Sequence, residues 1–252
     1  MLLEGGQAKI NKHNLPVVSV VIVTYNAAST LQNCLDSIYN QSYSPIEIIV
    51  VDGRSTDGTT AILQANNQRI HYWRSEPDAG IYDAMNKSLT YLTGDWVYFS
   101  GADDELLPDF STMARALTHP DTIYYANVLS NGKVFWGEVS LYHIAKYGIY
   151  HQAVMYPKAV FNKYHYNTKY IIRADHVLNM QCANDGDFKL VYRNEVIAKY
   201  NHLGFSNASM DRCFEANHLA LVFKYFSLKI SLRIAYWKFK ERYIRKKPGY
   251  SK

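Results

Sequence analysis

Several things are scarce or missing in this chain of 252 residues, and each absence removes a class of answer. The three cysteines, Cys34, Cys182 and Cys213, are odd in number and widely spaced, which argues against a disulfide framework or a zinc site and for a reducing compartment. No run of about 18 apolar residues is present, so no membrane-spanning helix is expected. The first 14 residues lack the apolar core of a signal peptide. A cytoplasmic protein is the expectation. No Gly-x-Gly-x-x-Gly follows the first apolar run, where Thr24-Tyr25-Asn26 stands instead, and no Gly-Lys-Ser/Thr loop occurs. Dinucleotide oxidoreductases and P-loop ATPases are therefore disfavoured.

Positive charge is also missing from most of the chain, despite the formal total of +5. Ten of the 27 Lys/Arg lie between Lys224 and Lys252 beside one acid, Glu241, leaving 17 basic and 21 acidic residues elsewhere. A mildly acidic body does not suit a nucleic-acid-binding face, and no nucleic-acid partner is expected. The 22 tyrosines are in excess, fitting a surface that grips flat or amphipathic partners, or plain compositional drift.

Hydrophobic patterning gives the organisation. Residues 1–14 read as a polar, frayed lead-in. Pro16–Tyr25 is a β-branched run of the kind found in strands buried on both faces of a parallel sheet. Ser29 or Thr30 is placed to cap a helix with Leu31, Cys34, Leu35 and Ile38 on one side. A second buried strand ends at Asp52, and Ser55-Thr56-Asp57-Gly58 opens another helix. Ile70–Trp73 predicts a short third strand, Ile81–Leu92 a helix and Trp96–Phe99 a fourth strand. This alternation predicts a mostly parallel sheet with helices on both faces. Beyond it, Thr122–Ser130 and Lys133–Val139 predict a hairpin about Asn131-Gly132. A helix follows from Lys158, another runs through Val177, Leu178 and Met180, and Phe188–Tyr200 is a strand pair or a bulged strand. Domain limits follow: a catalytic domain over 15–206, divided at 105/106, and a basic helical extension over 207–252.

In open sheets ligands bind at the carboxyl ends of the strands. Polar residues collect there: Thr24, Tyr25 and Asn26, then Asp52 and Arg54, then Asp103 and Asp104. Adjacent carboxylates delivered by a strand suit a hard cation carrying phosphate oxygens. The same pair also reads as a turn or helix cap.

The ordered blocks Val20–Asn26, Ile48–Gly58, Glu76–Ser88, Gly94–Asp104 and His151-Gln152 resemble the family 2 glycosyltransferases of bacterial exopolysaccharide, capsule and lipopolysaccharide synthesis. The resemblance spans about residues 16–206. It implies a GT-A fold, a nucleotide-diphosphate sugar donor (most commonly UDP-linked), Mn2+ or Mg2+, and inversion at the anomeric carbon. On the matching positions it implies that Asp52 accepts from a pyrimidine N3–H, that Asp103 holds the ribose and that Asp104 is the metal ligand. Gly101 stands where the commoner Asp-x-Asp form has its first acid. Tyr25 would pack beside the base or belong to the core, and Arg54 would reach a phosphate or remain a loop cation. Asp83 and Asn86, three apart on one helical face, would meet the donor, although Asp83 also suits a helix N-terminus.

An inverting transfer needs a base for the acceptor hydroxyl, and Asp175 best matches the family's acid. Asp185 and Asp187 compete for that role but read better as a turn. His151 and Gln152 are expected on the acceptor side, with His202 a further metal or diphosphate contact. The tail alternates Leu219, Val222, Phe223, Phe226, Ile230, Ile234, Trp237 and Ile244 with Lys224, Lys229, Arg233, Lys238 and Arg242. This pattern predicts an interfacial helix over 214–247 seated on an anionic membrane, or a helix packed on its own domain. A peripheral enzyme on the inner face of the cytoplasmic membrane, using a polyprenyl-diphosphate-linked saccharide, follows from the first alternative. A sugar-nucleotide nucleotidyltransferase would want a Gly-rich segment after strand one, which Thr24–Ala28 does not supply. A sugar-nucleotide-binding subunit without chemistry would have little use for Asp52, Asp103, Asp104 and Asp175 together.

Overall fold

Four consecutive parallel strands, β2 (Val18–Thr24), β3 (Ile46–Asp52), β4 (Tyr72–Ser75) and β5 (Trp96–Gly101), form the first half of the sheet in the order β4-β3-β2-β5. They belong to a computed structural model that describes residues 3–10, 14–135, 137–201 and 210–244. Every residue of β2 is buried, as its unbroken Val/Ile run requires of a strand covered on both faces. Each such Val or Ile contributes about 1.5–3 kcal/mol on burial. Helices α1 (Leu31–Tyr39), α2 (Thr59–Ala65) and α3 (Ile81–Ser88) make the crossovers, and α1 buries Leu31, Cys34, Leu35 and Ile38 as its spacing predicts. This half of the central sheet is therefore parallel, as expected.

Details differ where local signals compete. The capping hydroxyls of α1 do not cap: Thr30 donates to the Ala27 carbonyl instead. Helix α2 starts at Thr59, because Asp57 accepts from the Thr59 amide and Gly58 takes φ 104°. The third strand lies two residues later than predicted, and α3 ends at Ser88 in a short 3-10 turn. The lead-in is not wholly frayed. Strand β1 (Leu3–Gly5) pairs antiparallel with β4, and a Cβ on Gly5 would lie 2.7 Å from the Trp73 indole nitrogen, so glycine permits the pairing.

Beyond β5, β6 (Glu105–Leu106) and α4 (Asp109–Arg115) precede β7 (Thr122–Ser130) and β8 (Lys133–Phe135), joined at Asn131-Gly132 with φ of 48° and 71°. After α5 (Leu141–Tyr147), strand β9 (Val154–Pro157) enters antiparallel between β5 and β7. Helices α6 (Ala159–Lys163) and α7 (Ala174–Asn184) lead to the bulged β10 (Lys189–Lys199), parallel to β7. Among the described residues ten strands make one mixed sheet.

The tail folds as two helices, α8 (Arg212–Tyr225) and α9 (Leu228–Phe239), packed on α7 and α5. This differs from a single interfacial helix. Val222 and Ile234 are fully buried, and Leu219, Phe226, Ile230 and Trp237 also pack against the core, whereas Phe223 is exposed. Two neutral histidines anchor the tail. His176 of α7 hydrogen-bonds the Ile144 carbonyl and His218 of α8 the Ala145 carbonyl, each at 2.7 Å, and the Phe214 ring packs against both imidazoles. Burial drives their pKa values down to about 3 and about 4, respectively.

Candidate active site

Register sets the site. Thr24 pairs with Asp52, Asp52 with Ser75, and Val23 with Gly101, so the loops after four strands leave the sheet at one edge. A cavity of about 440 Å3 opens there, lined by Tyr25, Gly53, Arg54, Pro77 and Asp78. Tyr25 is 66% exposed, so its ring is outside the core, and Arg54 takes a left-handed φ of 65°. Asn26 builds the wall: its amide donates to Ser55 Oγ, and its side-chain oxygen accepts from the Thr56 amide. Thr24 Oγ1 is buried without a hydrogen-bond partner.

Asp52 is fully buried. Its carboxylate accepts from the Ser55 amide and hydroxyl and from Ser75 Oγ, the last at 2.6 Å. These bonds make it the anchor of the loop after β3. The residue that lines the cavity directly is Asp78, which the sequence reading did not single out. Burial raises its carboxyl above the ordinary range. A Cβ at position 53 would lie 2.6 Å from Asp78 Oδ2, so Gly53 is what lets this acid approach. Pro77-Asp78 inside a matched block was the available signal.

Asp83 and Asn86 share a face of α3 but face different work. Asp83 accepts from the Ala79 amide and pairs with Lys87 at 3.0 Å, and the Ala79 bond leads in lowering its pKa. Asn86 donates to the Tyr166 carbonyl and accepts from the Tyr166 amide, clamping the segment before α7.

After β5 the chain turns back so that Asp104 Oδ2 accepts from the Gly101 amide at 2.9 Å. A Cβ on Gly101 would sit 2.9 Å from both Asp103 Oδ1 and Asp104 Oδ2. The missing acid of the motif is thus the residue that gives the next two room. Asp104 is 1% exposed and also accepts from Gln152 Nε2 (3.0 Å) and the Asn201 amide (3.3 Å). Burial, with Asp103 nearby, raises its pKa to about 6. Asp103 is more open, and burial raises it as well. Two oxygen donors strained as anions fit a hard divalent cation. Among the described residues no group of three or more His, Cys, Asp or Glu gathers. A second cavity of about 400 Å3 borders this pair, with Thr30, Asn33, Ser130 and Lys199 in its walls.

Asp175 opens α7 with Oδ1 accepting from Tyr82 OH and the His176 amide, at 2.9 and 2.8 Å. Its Oδ2 lies 3.4 Å from His151 Nδ1. Burial pushes the carboxyl up, but the hydrogen bond and charge of His151, with Arg173 and Tyr82, bring it below its usual value. His151 and Gln152, expected on the acceptor side, tie the two acids together: one residue holds Asp175, the next holds Asp104. Tyr98 fixes this turn by donating to the Gln152 carbonyl at 2.9 Å. Asp185 and Asp187 form a turn paired with Lys163, as the alternative reading had it. His202 lies outside the described residues.

The chain as a whole is similar to known proteins. The family model "Glycosyl transferase family 2" matches residues 19–200. A PGL/p-HBAD biosynthesis glycosyltransferase of Mycobacterium bovis is 35% identical over 213 residues, covering 79% of this chain and 82% of that protein. Staphylococcus aureus TarS 1–349, solved with UDP-GlcNAc, superposes with a TM-score of 0.69 at 16% identity over 91% of this chain and 74% of that one. In the longer TarS structure the match spans 44% of that chain. A Pyrobaculum calidifontis mannosyltransferase, solved with GDP-Man and Mn2+, gives 0.62 at 15% identity over 94% and 84% of the two chains. With the fold, the acid-ended strands and this match over most of its length, the chain belongs to glycosyl transferase family 2, with a GT-A fold.

Proposed function

We propose that the protein is a metal-dependent, inverting hexosyl- or N-acetylhexosaminyl-transferase. It would take its sugar from a UDP-linked nucleotide-diphosphate donor and pass it to a saccharide hydroxyl. The observation that carries the reading is the linkage Asp104–Gln152–His151–Asp175–Tyr82, which ties a cation-suited acid bordering the 400 Å3 cavity and a candidate base to one turn. The relatives solved with UDP-GlcNAc and GDP-Man support a nucleotide-sugar donor.

In this reading the nucleotide occupies the 440 Å3 cavity with its base beside Tyr25, Asp78 and the Asp52 loop, and Arg54 reaches toward phosphate. Asp103 holds the ribose and, with Asp104, the cation. Mn2+ or Mg2+ bound there would neutralise charge on the departing nucleoside diphosphate. Asp175, kept ionised by His151, takes the proton of the acceptor hydroxyl as that oxygen attacks the anomeric carbon. Tyr82 and the His176 amide fix the carboxylate so that Oδ2 remains the working oxygen.

The acceptor we propose is polyprenyl-diphosphate-linked and belongs to surface polysaccharide synthesis, met by the enzyme peripherally on the inner membrane face. No described helix is long and apolar enough to cross a membrane. The donor is tested by a thermal-shift screen of nucleotide sugars with Mn2+. A true donor raises Tm by about the equivalent of 2.7 kcal/mol at a hundredfold excess over its Kd, and no shift with any nucleotide sugar would sink the reading.

A further inference from the structure

Helix α9 has two apolar faces, and the domain uses one. Ser231 and Ile234 are fully buried, while cation–π contacts pin the helix to α5: Lys146 Nζ lies 4.2 Å from the Trp237 ring centre and the Arg233 guanidinium 4.1 Å from that of Tyr142. The orientation of α9 on the body is therefore fixed by packing. Its opposite face carries Leu228, Leu232, Tyr236 and Phe239, and one turn further Tyr243, exposed by 65, 56, 64, 53 and 61%. Spacings of four, four, three and four place them in one row. Single exposed apolar residues are ordinary, but a continuous row marks an interaction surface.

Charge selects the partner. Lys229, Arg233 and Arg242 are exposed around the row, and from Lys224 to Ile244 the chain has six Lys/Arg and one acid. A second copy docked face to face across a two-fold axis would set these cations against themselves. An anionic lipid surface complements them, with tyrosines suited to the headgroup level and long cationic side chains able to reach lipid phosphates. We infer that the outward row of α9 is a lipid-docking face that lies in the headgroup region of an anionic bilayer.

This deepens the proposed function, on which it rests for the reason the enzyme meets a membrane, and it assigns the contact to residues other than the predicted stripe. The seated row also stands on the helices that support the base. Asp211 caps α8 by accepting from the Phe214 amide, and it accepts from the Ile172 and Arg173 amides at the entry to α7, next to Asp175.

The test is flotation of the full chain with vesicles of phosphatidylcholine plus phosphatidylglycerol and of phosphatidylcholine alone. The wild type should float with the anionic vesicles only, and less as salt rises. Leu232→Asp/Tyr236→Asp should lower partitioning at least about tenfold, and Lys229→Glu/Arg242→Glu should abolish the lipid preference. Circular dichroism checks folding. Independently, an environment-sensitive dye at Leu232→Cys should shift blue on anionic vesicles, whereas the dye at exposed Thr90→Cys should not. Failure of the wild type to float, wild-type partitioning by the Asp double variant, or a lipid-free dimer dissolved by that variant would overturn the assignment. Nucleotide release with a soluble saccharide acceptor is measured alongside. Its absence in wild type would refute the transferase reading while leaving the flotation result standing.

Discussion

Replacing Asp175 by Asn isolates the charge of the candidate base. The amide oxygen can still accept from Tyr82 and the His176 amide, so the turn into α7 should keep its shape and Tm should change little. What is lost is a proton acceptor, worth roughly a hundred- to ten-thousandfold in rate, or about 3–5 kcal/mol of barrier. His151→Ala should cost less, about tenfold. Its contact with Asp175 is 3.4 Å, longer than the best charge-assisted bonds, so its effect belongs at the low end of their range. Because His151 contacts Asp175 directly, the double variant should lose less than the product of the two single losses. The assay is single-turnover transfer at saturating donor, with donor binding measured separately. Asp175→Asn within tenfold of wild type, or losses that multiply in the double variant, would refute the assignment of the base.

Tyr82→Phe removes a hydroxyl that lies 2.7 Å from the Ile172 carbonyl and 2.9 Å from Asp175. It should cost about 1–3 kcal/mol in urea unfolding and, by losing a group that lowers the Asp175 pKa, move the acid limb of kcat to higher pH. Gly101→Ala forces a Cβ against both acids and should raise the donor KM at least about tenfold, at about 1–3 kcal/mol of stability; unchanged donor and Mn2+ affinity would count against the cradle. His176 and His218 bind protons near pH 6.5 when unfolded but resist until about 3 and about 4 when folded. The unfolded state then binds more protons, so this contribution is complete above about pH 6.5 and falls below it, by up to about 1.4 kcal/mol per pH unit for each histidine. His218→Gln, whose amide can still donate to Ala145, should flatten the slope of stability between about pH 7 and pH 5; an unchanged slope would remove His218 from the account.

Much of this was legible locally. Unbroken Val/Ile runs announced β2 and β3, the 3.6-residue spacing announced α1, and Asn131-Gly132 announced the β7–β8 turn. The acids at the strand ends followed from where parallel strands stop. What was not legible depends on distant partners. That Asp52 faces Ser55 and Ser75, that Gly53 admits Asp78, and that His151 and Gln152 reach two different acids are facts of tertiary approach. The tail shows the same limit. A helical sequence with apolar residues on several faces does not reveal which face the body will take, and here the core took Ile230, Ile234 and Trp237 and left the Leu228–Tyr243 row outside.

The central claim is cation-dependent transfer from a nucleotide sugar through the Asp103–Asp104 pair. Release of nucleoside diphosphate, followed with and without Mn2+ for wild type and Asp104→Ala, tests it most directly. Wild-type turnover that needs the cation and collapses in Asp104→Ala is the expected result. Equal rates in the two proteins, or turnover indifferent to Mn2+ and Mg2+, would contradict it.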